Sequence, residues 1–272
     1  MPPADLGVTI LAALDEGRQI APITSGDAAF GLDAAYRVGD AVIAARVARG
    51  ETPVGWKLGF TNRTIWDEYD VHAPIWGPIY DRTVIHAQSG AAPARLDAAA
   101  FIEPRIEPEI VFRIARPPAA GMDARQLLGC IDAVGHGFEI VQSIYPGWRF
   151  LAPDTVAAFA MHGALACGPL APVDDPEAWL DALSCFEIAL LRNGETVDRG
   201  VAANVLGGPI EALRHFTAGL AERPLARGIE PGDLIATGTV TRAFPVANGE
   251  TWETRIDGLP LPGMRLAFAP AS

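Results

Sequence analysis

One segment, residues 102–114, constrains the fold of this chain more than any other. Its residues alternate with the period of two that is typical of a β-strand. One face carries the apolar side chains of Ile106, Ile110, Phe112 and Ile114, and the other carries Glu107, Glu109, Val111 and Arg113. The chain must therefore build a sheet that buries one face of this strand and provides for two neighbouring carboxylates on the other.

Helical and strand patterns are unevenly distributed along the chain. Helical spacing predicts helices over residues 5–14, 33–49 and 209–220, with Asp33 as a possible cap of the second. Strand patterns predict strands at residues 54–60, 131–142, 233–237, 251–256 and 264–269, and a loop with a short strand at 74–86. The Asn193-Gly194 pair predicts a type I′ hairpin turn. Helices first and strands later indicate an α+β fold rather than repeated βαβ units.

Composition excludes several classes of function. The chain has 21 Lys plus Arg against 33 Asp plus Glu, a net charge of -12, which argues against nucleic-acid binding. No apolar run approaches the ~20 residues that cross a bilayer, and the N-terminus lacks the basic region of a signal peptide. We therefore expect a cytoplasmic protein without membrane contacts. Cys130, Cys167 and Cys185 lie in apolar surroundings and are expected to be buried free thiols.

The two carboxylates of the strand suggest a metal site. Glu107 and Glu109 share a face, and closely spaced carboxylates repel unless a cation lies between them. Mg²⁺ prefers oxygen ligands of this kind. Glu139 is the candidate third ligand, because it lies in an otherwise apolar strand where an unpaired charge is costly. The alternative is a solvated charged face. Glu103 and Arg105 flank the pair as candidate substrate contacts, or as surface charges.

Lys57 is the one lysine among the 21 cationic side chains, and the other twenty are arginines. A coding bias towards arginine explains the twenty but not the exception. Lys57 lies between two glycines of a predicted strand, in the segment GWKLG. The two glycines indicate that another group approaches the backbone closely at this point. The alternative is a surface or ion-paired lysine. A lysine, unlike an arginine, can release a proton when its surroundings lower its pKa.

Five segments occur in the order found in one known family. They are residues 55–61 (GWKLGFT), 101–110 (FIEPRIEPEI), 138–143 (FEIVQS), 154–157 (DTVA) and 232–239 (GDLIATGT). The sequence resembles the 2-keto-4-pentenoate hydratase / 4-oxalocrotonate decarboxylase family of the fumarylacetoacetate hydrolase superfamily. The resemblance covers nearly the whole chain, and the order of the segments carries more weight than any one of them.

The resemblance implies a fold and a set of site residues. The fold is a helical N-terminal region, residues 1–50, followed by a metal-binding catalytic β-roll or β-sandwich domain, residues 51–272. Glu107, Glu109 and Glu139 correspond to the family's ligands for Mg²⁺ or Mn²⁺. Lys57 and Asp81 correspond to its proton-transfer positions, and the segment Thr237, Gly238 and Thr239 corresponds to its contacts with the substrate carboxylate. Relatives form homo-oligomers, and related hydratase and decarboxylase subunits can associate.

The resemblance also implies the chemistry. The substrate is a small 2-oxo or 2-hydroxy-dienoic acid, and the expected reaction is hydration to a 4-hydroxy-2-oxo acid. The alternatives are decarboxylation of a 2-oxo-3-enedioate and hydrolytic C–C cleavage of an acylpyruvate. Two departures bear on this choice. His162 stands where relatives often carry a small hydroxyl side chain, which suggests an acid–base role, a narrower pocket or a structural group. The carboxylate of Glu103 would discourage a second anionic end and favours a monoacid hydratase.

Overall fold

The computed structural model describes residues 2–69, 71–87, 93–223 and 227–270, which form two β-sheets and a layer of helices. The α-helices are α1 (Pro3–Asp15), α2 (Ile23–Gly26), α3 (Leu32–Ala48), α4 (Trp66–Tyr69), α5 (Ala124–Leu128), α6 (Ala152–Ala157), α7 (Pro176–Cys185) and α8 (Pro209–Glu222). The strands are β1 (Pro53–Gly59), β2 (Ile75–Tyr80), β3 (Val84–His86), β4 (Ala94–Leu96), β5 (Arg105–Ile114), β6 (Ile131–Val141), β7 (His162–Cys167), β8 (Ala171–Pro172), β9 (Glu187–Arg192), β10 (Glu195–Val201), β11 (Leu234–Thr239), β12 (Phe244–Pro245), β13 (Thr251–Asp257) and β14 (Arg265–Phe268).

Strand β5, which carries Glu107 and Glu109, lies at the centre of the larger sheet. The order of this sheet is β2-β1-β11-β5-β6-β7-β3, with β12 paired to β5 and β8 paired to β6. The pairs β1–β11 and β3–β7 are parallel, and the remaining pairs of this sheet are antiparallel. The smaller sheet has the order β10-β9-β13-β14-β4, in which only β14–β4 is parallel.

Two layers of apolar packing hold these sheets. Ile106, Phe138 and Ile140 of the larger sheet pack against Trp252 and Leu266 of the smaller one. A second cluster packs the helices against the larger sheet; it includes Ile10, Val38, Val42, Trp56, Trp76 and Phe216. This arrangement confirms the predicted α+β class with mixed, curled sheets. The N-terminal helices share their core with β1 and β2, and the domain boundary at residue 50 stays a prediction.

Several local predictions are confirmed and others are wrong. Asn193 and Gly194 have φ values of 53° and 84°, as the predicted hairpin turn requires. Residues 75–80, expected to be partly loop, are a buried strand; β2 is an edge strand, where the missing N–H of Pro78 is tolerated. Asp33 does not cap α3, because Gly31 occupies the cap position and Asp33 pairs with Arg223 instead.

Two further expectations concern the surface. Cys130 and Cys167 are buried free thiols as predicted, but Cys185, the last residue of α7, is exposed. The sequence pattern did not reveal α7, and its C-terminal end carries the cysteine out of the core. Residues 88–100 are rich in Ala, Pro and Gly, which predicts an exposed connection. Residues 88–92 lie outside the described residues, and β4 occupies part of the remainder. None of the described helices is long and apolar enough to span a membrane.

Candidate metal and substrate site

The register of two central strands gathers the three predicted metal ligands. Strands β5 and β6 pair so that Glu107 lies directly opposite Glu139. Glu109 follows two residues along β5, on the same face. One oxygen from each carboxylate lies within 4.8 Å of the oxygens of the other two. Like charges at directly opposed positions destabilise a sheet, so this arrangement requires a compensating cation or bound protons.

A bulge in β11 fixes the third carboxylate. The pairing of β11 with β5 shifts between Ala236 and Thr239, and the Gly238 N–H within this irregular stretch donates a 2.8 Å hydrogen bond to Glu109 Oε2. The other carboxylate oxygen, Glu109 Oε1, is buried and has no hydrogen-bond partner among the described residues. A buried carboxylate oxygen without a partner is costly. It is the atom that a divalent ion would satisfy.

Burial and mutual repulsion perturb the acidity of all three carboxyl groups. Glu109 and Glu139 are 0% exposed. Burial raises the pKa of Glu107 to about 7, against the opposing effect of the Lys57 ammonium. Burial and then the charge of Glu139 raise the pKa of Glu109 well above its usual value. Burial would also raise the pKa of Glu139, but Lys57 and His162 outweigh it and lower that pKa. Protons therefore compete with a divalent ion for Glu107 and Glu109.

Lys57 reaches the same cluster from β1. Its Nζ atom lies 3.2 Å from Glu139 Oε2 and donates a 3.1 Å hydrogen bond to the Ala160 carbonyl. Burial alone would lower the pKa of Lys57, but the charges of the three glutamates outweigh it and raise that pKa above its usual value. The expected lowering of this pKa is therefore wrong for the ion-free protein, since three carboxylates face the ammonium group.

The cluster opens onto a cavity of about 260 Å³. Lys57, Glu107, Arg105 and Thr239 contribute polar groups to its lining, and an apolar wall is formed by Phe60, Ile65, Tyr69, Ile75, Trp148 and Phe150. The Arg105 guanidinium lies 4.2 Å from the centre of the Trp148 ring, a distance suited to a cation–π contact. The cavity thus combines carboxylates, cations and an aromatic surface at a scale that suits a small organic acid.

The comparisons with known proteins agree with this geometry. The fumarylacetoacetate (FAA) hydrolase C-terminal family matches residues 81–263. A 2-hydroxyhexa-2,4-dienoate hydratase from Comamonas testosteroni is 31% identical over 256 residues, which cover 93% of each chain. The chain belongs to the fumarylacetoacetate hydrolase family.

Further relatives and structures place the chain within this family. A 4-oxalocrotonate decarboxylase from Pseudomonas sp. (strain CF600) is 33% identical over 214 residues, which cover 78% of this chain and 76% of the relative. The solved structure of a 4-oxalocrotonate decarboxylase from Pseudomonas putida G7, complexed with magnesium and adipate, is similar with a TM-score of 0.88 and 27% identity. That similarity covers 98% of this chain and 97% of the other. The predicted family is therefore confirmed.

Two residues that the family resemblance suggested are not brought to the cavity. Asp81 is exposed in a turn after β2, where its carboxylate accepts hydrogen bonds from the Thr52 and Arg82 backbone N–H groups. Glu103 is exposed and accepts a hydrogen bond from the Gly147 N–H. Neither side chain lines the cavity. Asp81 and Glu103 thus lie outside the lining of the cavity, and their roles in proton transfer and in substrate selection stay predictions.

The three residues of the Thr-Gly-Thr segment of β11 make different contacts. The Thr237 hydroxyl is buried and donates to the Ile110 carbonyl within the sheet. The Gly238 N–H is used by Glu109, as described above. Only Thr239 lines the cavity, and its hydroxyl donates to the Thr241 carbonyl. Of the three predicted substrate contacts in this fumarylacetoacetate hydrolase family member, Thr239 alone lines the cavity, and its contact with a substrate stays a prediction.

His162 is buried behind Glu139 and does not line the cavity. Its Nδ1 atom lies 2.8 Å from Glu139 Oε1, and its Nε2 atom lies 2.8 Å from the Thr83 hydroxyl. Burial lowers the pKa of His162, although Glu139 acts in the opposite direction. His162 does not pair with Glu103, whose carboxylate accepts a hydrogen bond from the Gly147 N–H on the surface. Sequence reasoning missed Thr83 and the Ala160 carbonyl, and a backbone carbonyl leaves no signal in a sequence.

Gly238 provides a test of the link between the bulge in β11 and the metal site. Its φ is 101°, and a Cβ atom there would lie 1.9 Å from Thr61 Oγ1. We expect Gly238→Ala to lower the free energy of unfolding by ~3 kcal/mol or more, since backbone strain and steric overlap add, and to weaken Mn²⁺ binding. Gly232→Ala is the matched control, because Gly232 has a φ of 91° with nothing within 4 Å of an added Cβ.

The control isolates the cost of the left-handed backbone alone, which is about 1 kcal/mol. Urea denaturation in EDTA measures the unfolding free energy of both variants, and calorimetry measures their Mn²⁺ affinity. Equal losses of stability in the two variants, with unchanged Mn²⁺ binding, would contradict the role of the Gly238 N–H in holding Glu109.

Proposed function

We propose that this protein is a divalent-metal-dependent hydro-lyase that hydrates a 2-hydroxy-2,4-dienoate to a 4-hydroxy-2-oxo acid. One observation carries the proposal. Glu107 and Glu139 lie directly opposite each other, beside the unpartnered Glu109 Oε1, next to a cavity that Lys57 enters. The 31% identity to a 2-hydroxyhexa-2,4-dienoate hydratase over 93% of both chains supports the same reaction.

The residues present fit a hard divalent ion such as Mg²⁺ or Mn²⁺. Three carboxylates supply oxygen ligands, and their spacing suits an ion that retains water ligands for a substrate to displace. Glu107, Glu109 and Glu139 would hold the ion. When bound, it supplies Lewis-acid polarisation of the oxygens of a 2-oxo acid.

The remaining groups of the cavity define what the chain itself contributes. We propose that Lys57 carries a proton between the substrate carbon chain and its surroundings, because its ammonium lines the cavity and is held by Ala160 and Glu139. Charge from a divalent ion would offset the three carboxylates that raise its pKa. Arg105 and Thr239 would bind the polar head of the acid, and the aromatic wall would hold the diene tail.

Hydration balances without any further reagent. The dienol gives up its hydroxyl proton and receives a proton on its carbon chain, which produces the conjugated ketone. Water then adds as hydroxide at C4 and as a proton at C3. Each step needs a group that can hold and release a proton near the chain. The position of Lys57 in the cavity lining supports this role for it, and the exposed position of Asp81 supports such a role less.

Decarboxylation is the second candidate function, and one observation favours it. Two arginines, Arg105 and Arg242, line the cavity. Two guanidinium groups can accommodate a substrate with carboxylates at both ends. Arg242 also pairs with Asp198 at 3.2 Å, so part of its charge is already compensated. A 2-oxo-3-enedioate is therefore the competing substrate.

The two functions separate in a direct assay. With Mg²⁺ and 2-hydroxypenta-2,4-dienoate, we expect the dienol absorbance to decay, the 4-hydroxy-2-oxo acid to accumulate, and EDTA to abolish the reaction. Free Mg²⁺ without protein controls for uncatalysed ketonisation. An inactive protein would contradict the hydratase proposal for this substrate, while CO₂ release from a 2-oxo-3-enedioate would establish the second candidate. The oligomeric state and any partner subunit stay predictions.

A further inference from the structure

A buried chain of hydrogen bonds stands behind one of the proposed metal ligands. It runs from Glu139 Oε1 to His162 Nδ1 and from His162 Nε2 to the Thr83 hydroxyl, and both contacts measure 2.8 Å. Glu139 and His162 are 0% and 2% exposed, so water does not compete for these bonds. An ionised carboxylate only accepts hydrogen bonds. His162 Nδ1 must therefore carry a proton, and its N–H donates the hydrogen bond to Glu139.

The Thr83 hydroxyl is itself fixed by backbone groups. It accepts a hydrogen bond from the Tyr80 N–H at 3.1 Å and lies 2.9 Å from the Tyr80 carbonyl. The hydroxyl has a single proton, so it donates a hydrogen bond either to that carbonyl or to His162 Nε2. In the first case Nε2–H donates to Thr83, and in the second case Nε2 accepts from it. The hydrogen bond between Thr83 and the imidazole forms in both cases, so the chain of hydrogen bonds does not depend on the charge of His162.

The backbone before His162 is held in an unusual conformation. Phe159, Ala160 and Met161 have φ values of 48°, 51° and 64°. Left-handed backbone at non-glycine residues costs about 1–3 kcal/mol each and persists only where the surrounding structure imposes it. The Ala160 carbonyl accepts the hydrogen bond from Lys57, and the next residues bring His162 to Glu139. One strained turn thus orients both the ammonium and a carboxylate of the site.

Gly77 shows how closely this turn is packed. A Cβ atom at Gly77 would lie 2.4 Å from the Phe159 carbonyl oxygen. Thr83 lies in the 3₁₀ turn that follows the same strand, β2, and β3 then pairs with β7, which begins at His162. The strand and the turn after it therefore support the strained segment and the imidazole together.

We propose that His162 and Thr83 are positioning residues that hold the Glu139 carboxylate so that Oε2 faces Lys57 and the divalent ion. The inference rests on the proposed metal site. It assigns His162 to the support of a ligand rather than to acid–base catalysis. Groups that orient metal ligands typically change metal affinity by about 10- to 100-fold when they are removed.

The first test replaces the Thr83 hydroxyl with a methyl group of similar size, which removes its hydrogen bonds to His162 and to the Tyr80 backbone. We expect Thr83→Val to weaken Mn²⁺ binding, measured by calorimetry and by electron paramagnetic resonance of free Mn²⁺, by about 10- to 100-fold. Thr83→Ser retains the hydroxyl and should bind within about threefold of the unaltered protein. Thr217→Val is the matched control, because Thr217 is also buried but its hydroxyl donates to the Arg214 carbonyl in α8. It should lose stability without losing Mn²⁺ affinity.

A second pair of variants keeps the inference testable if Thr83→Val does not fold. In His162→Asn the amide nitrogen takes the place of Nδ1 and can still reach Glu139. In His162→Gln it takes the place of Nε2 and reaches Thr83 instead. We expect Mn²⁺ affinity to fall further in the Gln variant than in the Asn variant.

The outcomes separate the positioning role from the metal site itself. If the unaltered protein binds no Mn²⁺, the proposed site fails. If it binds Mn²⁺, but Thr83→Val binds it as tightly as Thr217→Val does, or the Asn and Gln variants show the reverse order, the positioning role is overturned while the metal site stands.

Discussion

Replacing Glu109 with Gln is expected to abolish divalent-ion binding while making the ion-free protein more stable. Glu109 supplies a buried carboxylate oxygen, Oε1, that has no hydrogen-bond partner among the described residues. Glutamine keeps an oxygen to accept the Gly238 N–H bond but is neutral and a poor ligand for Mg²⁺. Activity should fall with ion binding, to the level of the protein in EDTA.

The gain in stability follows from the electrostatics of the cluster. Burial and the neighbouring Glu139 raise the pKa of Glu109 in the folded protein. A carboxyl group whose pKa is raised by folding costs stability as the pH rises from its unfolded-state pKa to its folded-state pKa, because over that range the unfolded chain releases the proton more easily. We therefore expect the ion-free variant to have a higher free energy of unfolding than the unaltered protein at neutral pH, and a higher midpoint of thermal unfolding.

The measurement is thermal unfolding with EDTA and with saturating Mg²⁺. An ion at 100 times its dissociation constant stabilises the unaltered protein by about 2.7 kcal/mol, and the variant should show no such shift. Glu103→Gln is the matched control, since it makes the same chemical change at an exposed residue of the same segment. A Glu109→Gln protein that is still stabilised by Mg²⁺ would remove Glu109 from the ligand set.

Lys57→Arg is expected to reduce kcat by about 10²- to 10⁴-fold while Mn²⁺ binding changes by less than tenfold. Arginine preserves the positive charge beside Glu139 but cannot release a proton at neutral pH. Lys57 is only 3% exposed, and the planar guanidinium of arginine is larger than the ammonium group that this buried position holds. Stopped-flow absorbance with the dienoate measures kcat, and calorimetry measures ion binding. Turnover retained in Lys57→Arg would show that only charge is needed there.

Lys57→Met separates charge from proton transfer. In the ion-free protein it removes the cation that lies 3.2 Å from Glu139. Loss of one partner of a buried ion pair typically costs about 3–5 kcal/mol, so this variant should unfold more easily than Lys57→Arg in EDTA. Saturating Mg²⁺ should reduce the difference, because the ion replaces part of the missing charge. Equal stability of the two variants in EDTA would contradict the structural part of the role.

Sequence reasoning succeeded where the signal was local. The alternation around Glu107 and Glu109 predicted both the strand and the shared face of the two carboxylates, because side-chain direction in a strand depends only on position along it. The Asn193-Gly194 turn was predictable for the same reason, since backbone preference there is a property of two residues. Lys57 stood out by composition alone.

The same reasoning could not show which side chains of a turn point inward and which point to the surface. Asp81 and Thr83 lie two residues apart in one 3₁₀ turn. The family pattern favoured Asp81, yet the turn directs Asp81 outward to the Thr52 backbone and Thr83 inward to His162. Glu103 likewise precedes the ligand strand but bonds to Gly147 on the surface. The sequence contains no signal for these directions, since they depend on backbone rotation within single turns.

By itself the sequence determined an acidic α+β chain, a strand with paired carboxylates, one lysine between glycines and the family to which the chain belongs. Only the tertiary structure decided that Glu107 faces Glu139 across two strands, that Gly238 holds Glu109, and that His162 stands behind the site rather than within it. The physical reason is range. Periodicity and turn preference act between neighbouring residues, whereas register and side-chain contacts join residues far apart in the chain, and the packing of the whole fold selects them.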